Sequence, residues 1–424
     1  MNSFKFLIIS CLILVMATAF PQEVKKTGGL ARLTGMGGNP YVIDPFFNTV
    51  NPAWNGVYNN FVLGDLGSVS GSPFSAGGNG QYISGSFQIG KQWTLGGLLA
   101  RNDFNGMSIA LLDPGTNNSL GLPYIGVVST VNGIAGQGSV VPLDNNVEAI
   151  GTYSFGNSIL GLGLAYASTT NDVTPPTNGS SEGSASQLGF NLGVISDVTN
   201  TLKLDIGFSM AFPSASFKID SLNETNASQT LILVNGRAFW DLNSHLQLVP
   251  IIAFSSASGT IDSGGTSTSS IDMPSYTWFA FGVGLNYQVG DFLLAGGATF
   301  STANLTVPSV AQVSPELTYG ATTFPIWNIG AEWNMLDWFV ARLGYVAFTG
   351  NSSIQYPNTA TTSTEFVTTF FAPSQRGATV GVGFRFGTFS LDATVNEDVL
   401  RQGLNTIGGG GPTFAYITTS YALP

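Results

Sequence analysis

The alternation in residues 279–300 constrains the fold more than any other feature of the chain. Phe279, Phe281, Val283, Leu285 and Tyr287 are large and mostly apolar, while Ala280, Gly282, Gly284, Asn286 and Gln288 between them are small or polar. After Val289-Gly290-Asp291 the pattern resumes, with Phe292, Leu294, Gly296, Ala298 and Phe300 set against Leu293, Ala295, Gly297 and Thr299. A period of two belongs to an extended strand, whose successive side chains point to opposite faces. Two such runs around a short Gly-Asp break predict an antiparallel hairpin. A soluble sheet turns its bulky face into a core. A membrane barrel turns it toward lipid and keeps the small, polar face inside.

The start of the chain favours export. Lys5 precedes an apolar run over residues 6–16, and Ala17-Thr18-Ala19 offers a cleavage site. This predicts a signal peptide over 1–19. The run is too short to cross a bilayer, which takes ~20 residues. Cys11 is the only cysteine, so the mature chain is expected to carry no disulfide and no thiolate site. Charged residues make up 9% of the chain, against about 25% in ordinary globular domains. A soluble protein of this size needs more surface charge. An exported chain short of charge and rich in glycine and aromatics fits an outer-membrane β-barrel, whose closed sheet pairs all its backbone within lipid.

One unit repeats along the chain: strand, short break, strand, long polar loop. The short breaks fall near 90–92, 156–157, 197–200, 241–244, 289–291, 334–337 and 387–388, and the long loops near 102–146, 170–184, 213–228, 257–274, 304–322, 350–375 and 397–412. Such asymmetry is that of outer-membrane barrels, with short turns on the periplasmic side and long loops outside. Aromatic residues gather at the short breaks: Trp93, Phe155, Trp240, Tyr287, Phe292, Trp333, Phe386 and Phe389. A row of this kind reads as an interfacial girdle. The expected fold is all-β, a transmembrane antiparallel barrel of 14–16 strands over 57–424. Its last strand ends near an aromatic, Tyr421, which resembles the C-terminal signal read by the barrel-assembly machinery.

Residues 20–56 do not alternate. They contain Ala31-Arg32, Met36-Gly37-Gly38, Phe46-Phe47 and Asn51-Pro52-Ala53-Trp54. Ala31-Arg32, Met36-Gly37-Gly38 and Asn51-Pro52-Ala53 ahead of the first strand resemble the start of the FadL-like superfamily of long-chain fatty-acid and hydrophobic-compound channels. That superfamily includes outer-membrane subunits of type IX secretion. The resemblance implies that residues 20–56 form a plug inside the barrel, with Asn51, Pro52 and Ala53 at a lumenal turn; Phe46, Phe47 and Trp54 of the same segment are expected to belong to that plug. Trp54 stands where glycine is common in that family. Many inward positions are glycine, among them Gly161, Gly193, Gly284 and Gly330. They mark either close approach of another backbone or relief of crowding on a concave wall.

The inward charges are few and of both signs: Glu148, Lys203, Asp205, Arg237, Glu332, Arg342, Arg385 and Asp392. A sparse, mixed set suits ion pairs against packed polypeptide rather than an open aqueous pore. Leu231, Leu233, Val249, Ile251 and Leu293 share the inward face and form an apolar patch suited to a greasy ligand, or to packing against Phe46 and Phe47. No catalytic constellation is present. His245 is the only histidine, at a strand end; no second histidine is available for a metal site, and any Ser/His/Asp triad would have to recruit this same residue. The expectation is a non-enzyme without cofactor or metal. A net charge of −11 with scattered Lys and Arg leaves no nucleic-acid footprint.

Three functions follow as expectations. The first is passive uptake of hydrophobic, fatty-acid-like molecules through the barrel. The second is a sealed barrel that binds a secretion or surface partner through its loops; the 102–146 loop, apolar over 120–128, either makes that contact or folds inward. The third is a general porin.

Overall fold

The computed structural model describes residues 27–67, 82–101, 126–135, 139–141, 143, 145–173, 180–219, 224–263, 269–309, 316–355, 362–368, 378–395 and 414–424. The signal-peptide stretch 1–19 and the apolar residues 120–125 lie outside these. The strands of the first half are β1 Phe61–Gly67, β2 Tyr82–Ile89, β3 Trp93–Arg101, β4 Asn145–Phe155, β5 Ser158–Val173, β6 Ser181–Thr199, β7 Leu202–Ile219, β8 Thr225–Asp241 and β9 Leu246–Ser263. Those of the second half are β10 Ser269–Asp272, β11 Ser275–Val289, β12 Phe292–Val307, β13 Leu317–Leu336, β14 Phe339–Gln355, β15 Thr362–Thr368, β16 Ala378–Phe386, β17 Phe389–Val395 and β18 Phe414–Ala422.

Apart from β10–β11 and β15–β16, each strand pairs antiparallel with its neighbour in sequence, and β18 pairs back onto β1, which closes the ring. β10 and β11 both lie on β9, and β15 and β16 both lie on β14, so each couple is one broken strand. The wall is therefore a closed antiparallel barrel of 16 strands. All seven short breaks are tight turns of this wall.

The faces sort as a bilayer demands. Along β11, Phe281, Val283, Leu285 and Tyr287 are exposed, while Ala280, Gly282, Gly284 and Asn286 face inward and are buried. At the turn end, Trp93, Trp240, Tyr287, Trp333 and Phe386 project outward. A second ring, formed by Tyr166, Phe212, Phe254, Phe279 and Phe324, projects near the loop end. Between the two lies the apolar band that meets lipid. Among the described residues no helix is long and apolar enough to cross a membrane; the crossing is made by strands.

Several strands run past the expected loop boundaries. β6 and β7 pair out to Ser181 and Ile219, although loops were expected over 170–184 and 213–228. The reason is the change of solvent. Above the loop-end ring the outer face meets water, so Ser168, Ser186, Ser214, Ser228 and Thr260, which stand opposite one another across five strands, replace the apolar residues. The alternation stops while the pairing continues.

Before β1, residues 27–60 form helix α1 (Leu30–Gly35), a 3-10 turn at Pro45–Thr49 and helix α2 (Trp54–Val57). Asp44 caps the 3-10 turn, its carboxylate accepting from the Phe46 amide at 2.9 Å, with Pro45 at the first position. A further helix, α3 (Val127–Ala135), lies in the connection between β3 and β4.

Candidate functional site

Residues 28–58 lie inside the ring and touch strands on every side of it. The Ala31 amide donates to Thr418 of β18, Asn39 Nδ2 to the Ala295 carbonyl of β12, and Asn48 Nδ2 to Ser84 of β2. Tyr41 hydroxyl bonds Thr299 at 2.8 Å, and Asn286 Nδ2 donates to the Tyr41 carbonyl. α2 packs against β3, β4 and β5. Tyr41, Trp54, Met36 and Ala53 are fully buried. The inward glycines are where this segment rests. A Cβ on Gly284 would lie 2.3 Å from Cγ of Tyr41, and one on Gly161 would lie 2.3 Å from the Ala53 nitrogen. Close approach, rather than wall curvature alone, uses these positions.

Two buried clusters of charge tie the segment to the wall. In the first, signs alternate along a chain. Asp44 pairs with Arg32 at 3.0 Å, Arg32 with Glu332 of β13 at 2.7 Å, Glu332 with Arg342 of β14 at 2.6 Å, Arg342 with Asp392 of β17 at 2.7 Å, and Asp392 with Arg385 of β16 at 2.8 Å. Arg32 also donates to the Ile43 carbonyl at 2.9 Å. Burial pushes the Asp44 carboxyl up to about 6, with the Arg32 charge and the Phe46 amide pulling against it, so it is ionised at neutral pH. Each carboxylate here has a cation, which is what burial of charge requires.

In the second cluster, Asp205 of β7 accepts from Arg237 of β8 through Nε at 2.8 Å and Nη2 at 2.5 Å. Its other contacts come from the segment: Asn51 Nδ2 at 2.6 Å and Trp54 Nε1 at 3.1 Å. Arg237 reaches the carbonyls of Pro40 and Val42 and lies 3.6 Å above the ring of Phe47. Asn51 Oδ1 accepts from the Ala53 amide at 2.9 Å, which holds the turn at Pro52 in shape. Trp54 brings an indole donor that glycine lacks.

The remaining candidates divide. Val249, Ile251 and Leu293 sit in one cluster with Tyr41, Val42, Phe46, Phe47 and Trp54. The segment covers Val249 and Ile251, and Leu293 borders only a small recess of about 30 Å³ at the turn end. Leu231 and Leu233 lie outside that cluster, higher on β8 and only partly buried. Lys203 is not a lumenal charge: it sits at the turn-end rim, 3.4 Å from Asp197 of the neighbouring strand. Glu148 is fully buried, accepting from Asn191 Nδ2 at 3.3 Å, and Asn191 in turn accepts from Ser209. Arg32 and Asp44 were missed by sequence reasoning. They are the only charges in residues 27–58, and that scarcity was the available signal.

Higher up, the wall is interrupted. β7 and β8 pair Ala211 with Leu231 and Ser214 with Ser228, but between these Phe212 and Pro213 form no ladder pairs with Gln229 and Thr230, although each keeps its pair on the other neighbouring strand. Pro213 has no N–H to give. A pocket of about 640 Å³ sits there, lined by Phe212, Pro213, Gln229, Thr230, Ser258 and Gly259 among others. Gln229 and Gly259 belong to the inward face and Thr230 and Ser258 to the outward face, so the pocket draws on both. Proline inside a strand pattern was the missed signal. Just above it, on the inner face, Val127, Val128 and Val131 of α3 pack on Ala167, Ala185, Ala215 and Ala227. The 102–146 connection therefore folds inward over its described part.

No family model matches this chain, and no curated protein does. Among solved structures the chain is similar to the toluene transporter TodX of Pseudomonas putida, with 9% identity and a TM-score of 0.35, over 95% of this chain and 99% of that one. It is also similar to the FrpB iron transporter from Neisseria meningitidis, with 10% identity and a TM-score of 0.36, over 81% of this chain and 69% of that one.

Proposed function

We propose that this protein is an outer-membrane channel of a Gram-negative bacterium for hydrophobic small molecules, which pass between the lumen and the membrane through the interrupted wall between β7 and β8. The interruption itself carries the reading. Two missing ladder pairs between β7 and β8 open a route that breaks no backbone pairing between these two strands, at the level where the apolar band gives way to polar residues. Leu231 and Leu233 lie directly below it on the inner face and supply apolar surface for a greasy ligand. Residues 20–56 act as the plug that keeps water from flowing along the axis, held by the two charge clusters.

A disulfide tests this. Pro213 and Gln229 stand opposite each other across the gap, both on the inward face. Cys11 is the only native cysteine, so a Pro213→Cys/Gln229→Cys pair meets no competitor beyond the leader. The double variant is expected to take up a fluorescent fatty acid into cells when reduced and to lose most of that uptake when oxidised. Uptake indifferent to the redox state would remove the lateral route.

One observation favours a second reading, that of a sealed barrel serving as a scaffold in secretion or surface attachment. The turn-side half of the lumen is filled by residues 28–58, and α3 packs on the inner wall above. Stoichiometric co-purification of a partner protein from native membranes, together with no uptake by the unmodified barrel, would favour it over transport.

A further inference from the structure

We propose that the outer wall from β3 to β7 binds one anionic glycerophospholipid of the leaflet on the turn side. Two adjacent rows of outward residues run across these strands. Trp93, Tyr153, Leu160, Val194 and Ile206 face one another in the row nearer the turns. In the next row Gly151 takes the place of a side chain between Leu95 and Leu162. The missing side chain leaves a groove of about 450 Å³ whose lining is almost wholly apolar. That volume lies within the range of about 300–1,000 Å³ of small-molecule sites.

Position and charge select the occupant. The groove opens in the band that faces hydrocarbon, so an acyl chain is the ligand at hand. At its turn-side end Trp93 and Tyr153 lie with ring centroids 4.7 Å apart, the arrangement of an interfacial pair that grips the region between tail and headgroup. Tyr153 hydroxyl donates to Gln92 Oε1 at 3.4 Å, which leads to the β2–β3 turn. Lys91 stands in that turn, exposed, and among the described residues it forms no ion pair. The neighbouring rim cation Lys203 is paired with Asp197 instead. A free ammonium one turn below an aromatic-rimmed apolar groove matches a phosphate with its tail lying upward.

The test uses the full-length barrel in a neutral detergent, titrated with dioleoyl phosphatidylglycerol or dioleoyl phosphatidylethanolamine and read by native mass spectrometry. The wild type is expected to retain one phosphatidylglycerol and to prefer it about fivefold, the effect of one lysine near a surface. Gly151→Leu fills the notch. A Cβ there would meet only Leu95 Cδ2, at 3.9 Å, so the barrel keeps its melting temperature while retained lipid falls at least tenfold. Lys91→Gln keeps the tail site and loses the preference. Equal retention of both lipids by the wild type overturns the proposal. So does retention unchanged in Gly151→Leu, or a face covered by a second barrel with no lipid held.

Discussion

Replacing Arg32 by alanine isolates what holds the leading segment in the lumen. The guanidinium donates to Glu332 through Nε at 2.7 Å and Nη2 at 3.1 Å, and to Asp44 and the Ile43 carbonyl through Nη1. Both partner carboxylates are at least nine-tenths buried. Truncation leaves Asp44 without a cation, while Glu332 keeps Arg342. Removing one member of a buried pair costs about 3–5 kcal/mol. At about 1.4 kcal/mol per decade, local opening of the segment should become roughly two to three and a half orders of magnitude more frequent. Native-state hydrogen exchange in detergent micelles reads this directly. The Met36 and Gly38 amides, bonded within the segment to Arg32, Leu33 and Leu33 again, should exchange faster by that factor. Amides of the β13–β14 ladder should not change, because the wall does not depend on the segment's pairing. The double variant Arg32→Ala/Asp44→Asn should recover most of the loss, since the stranded charge is gone. Segment exchange within tenfold of wild type, or equal acceleration in the wall, would refute the reasoning.

Gly161→Val should expel the Asn51-Pro52-Ala53 turn, because its Cβ would sit 2.3 Å from the Ala53 nitrogen; faster exchange of the Tyr58 amide reports it. Trp54→Phe removes one hydrogen bond to the Asp205 carboxylate and should destabilise the segment by about 1.5–3 kcal/mol. Val283→Lys puts a cation at the centre of the apolar band and should cost about 2–4 kcal/mol in reversible folding into lipid vesicles. The Asp44 carboxyl is raised in the folded state to about 6 from 3.8, so the folded segment takes up a proton more readily than the unfolded one. Its stability should therefore rise as pH falls from about 6 toward 4, an effect that Asp44→Asn abolishes; exchange at pH 7.5 and 5, corrected for intrinsic rates, measures it.

The wall was readable because lipid imposes a strict rule on each spanning residue. Phe281 and Leu285 out, Gly282 and Gly284 in, is a pattern that any closed sheet in a bilayer must show, and it marked the turns as well. Where the rule lapses the reading failed. Above Phe212 the outer face meets water, so Ser214 and Ser216 look like loop although they pair with β6. The lumen was only half legible. Glu332 and Arg342 could be seen to face inward, yet Arg32, the second cation on Glu332, lies 300 residues away on a stretch without periodicity. The apolar patch shows the same limit: alternation tells that Val249 and Leu293 face inward, but not that Tyr41 and Phe46 already cover them.

On the transport reading proposed above, these contacts bear on which path a ligand would take. Axial passage requires residues 28–58 to leave, which breaks the Arg32–Glu332 pair and the hydrogen bonds from Asn51 and Trp54 to Asp205, and pulls the Tyr41 ring off Gly284. Separating Arg32 from Glu332 alone opposes this by several kcal/mol, and the hydrogen bonds to Asp205 and the buried apolar contacts of Trp54 and Met36 add to it. At the β7–β8 interruption no ladder bond between the two strands has to break, and the covering element is α3, seated on alanines by three valines and without a charge pair to the wall among the described residues. Movement of α3 off its alanine seat just above the gap costs far less than movement of the segment below. The two routes are separable: Arg32→Ala loosens the lower segment and should leave uptake nearly unchanged if passage is lateral, whereas bulky replacement of Ala215, which lifts α3 from its seat, should alter uptake strongly. A rise in uptake on Arg32→Ala with none on Ala215→Phe would place the path along the axis instead.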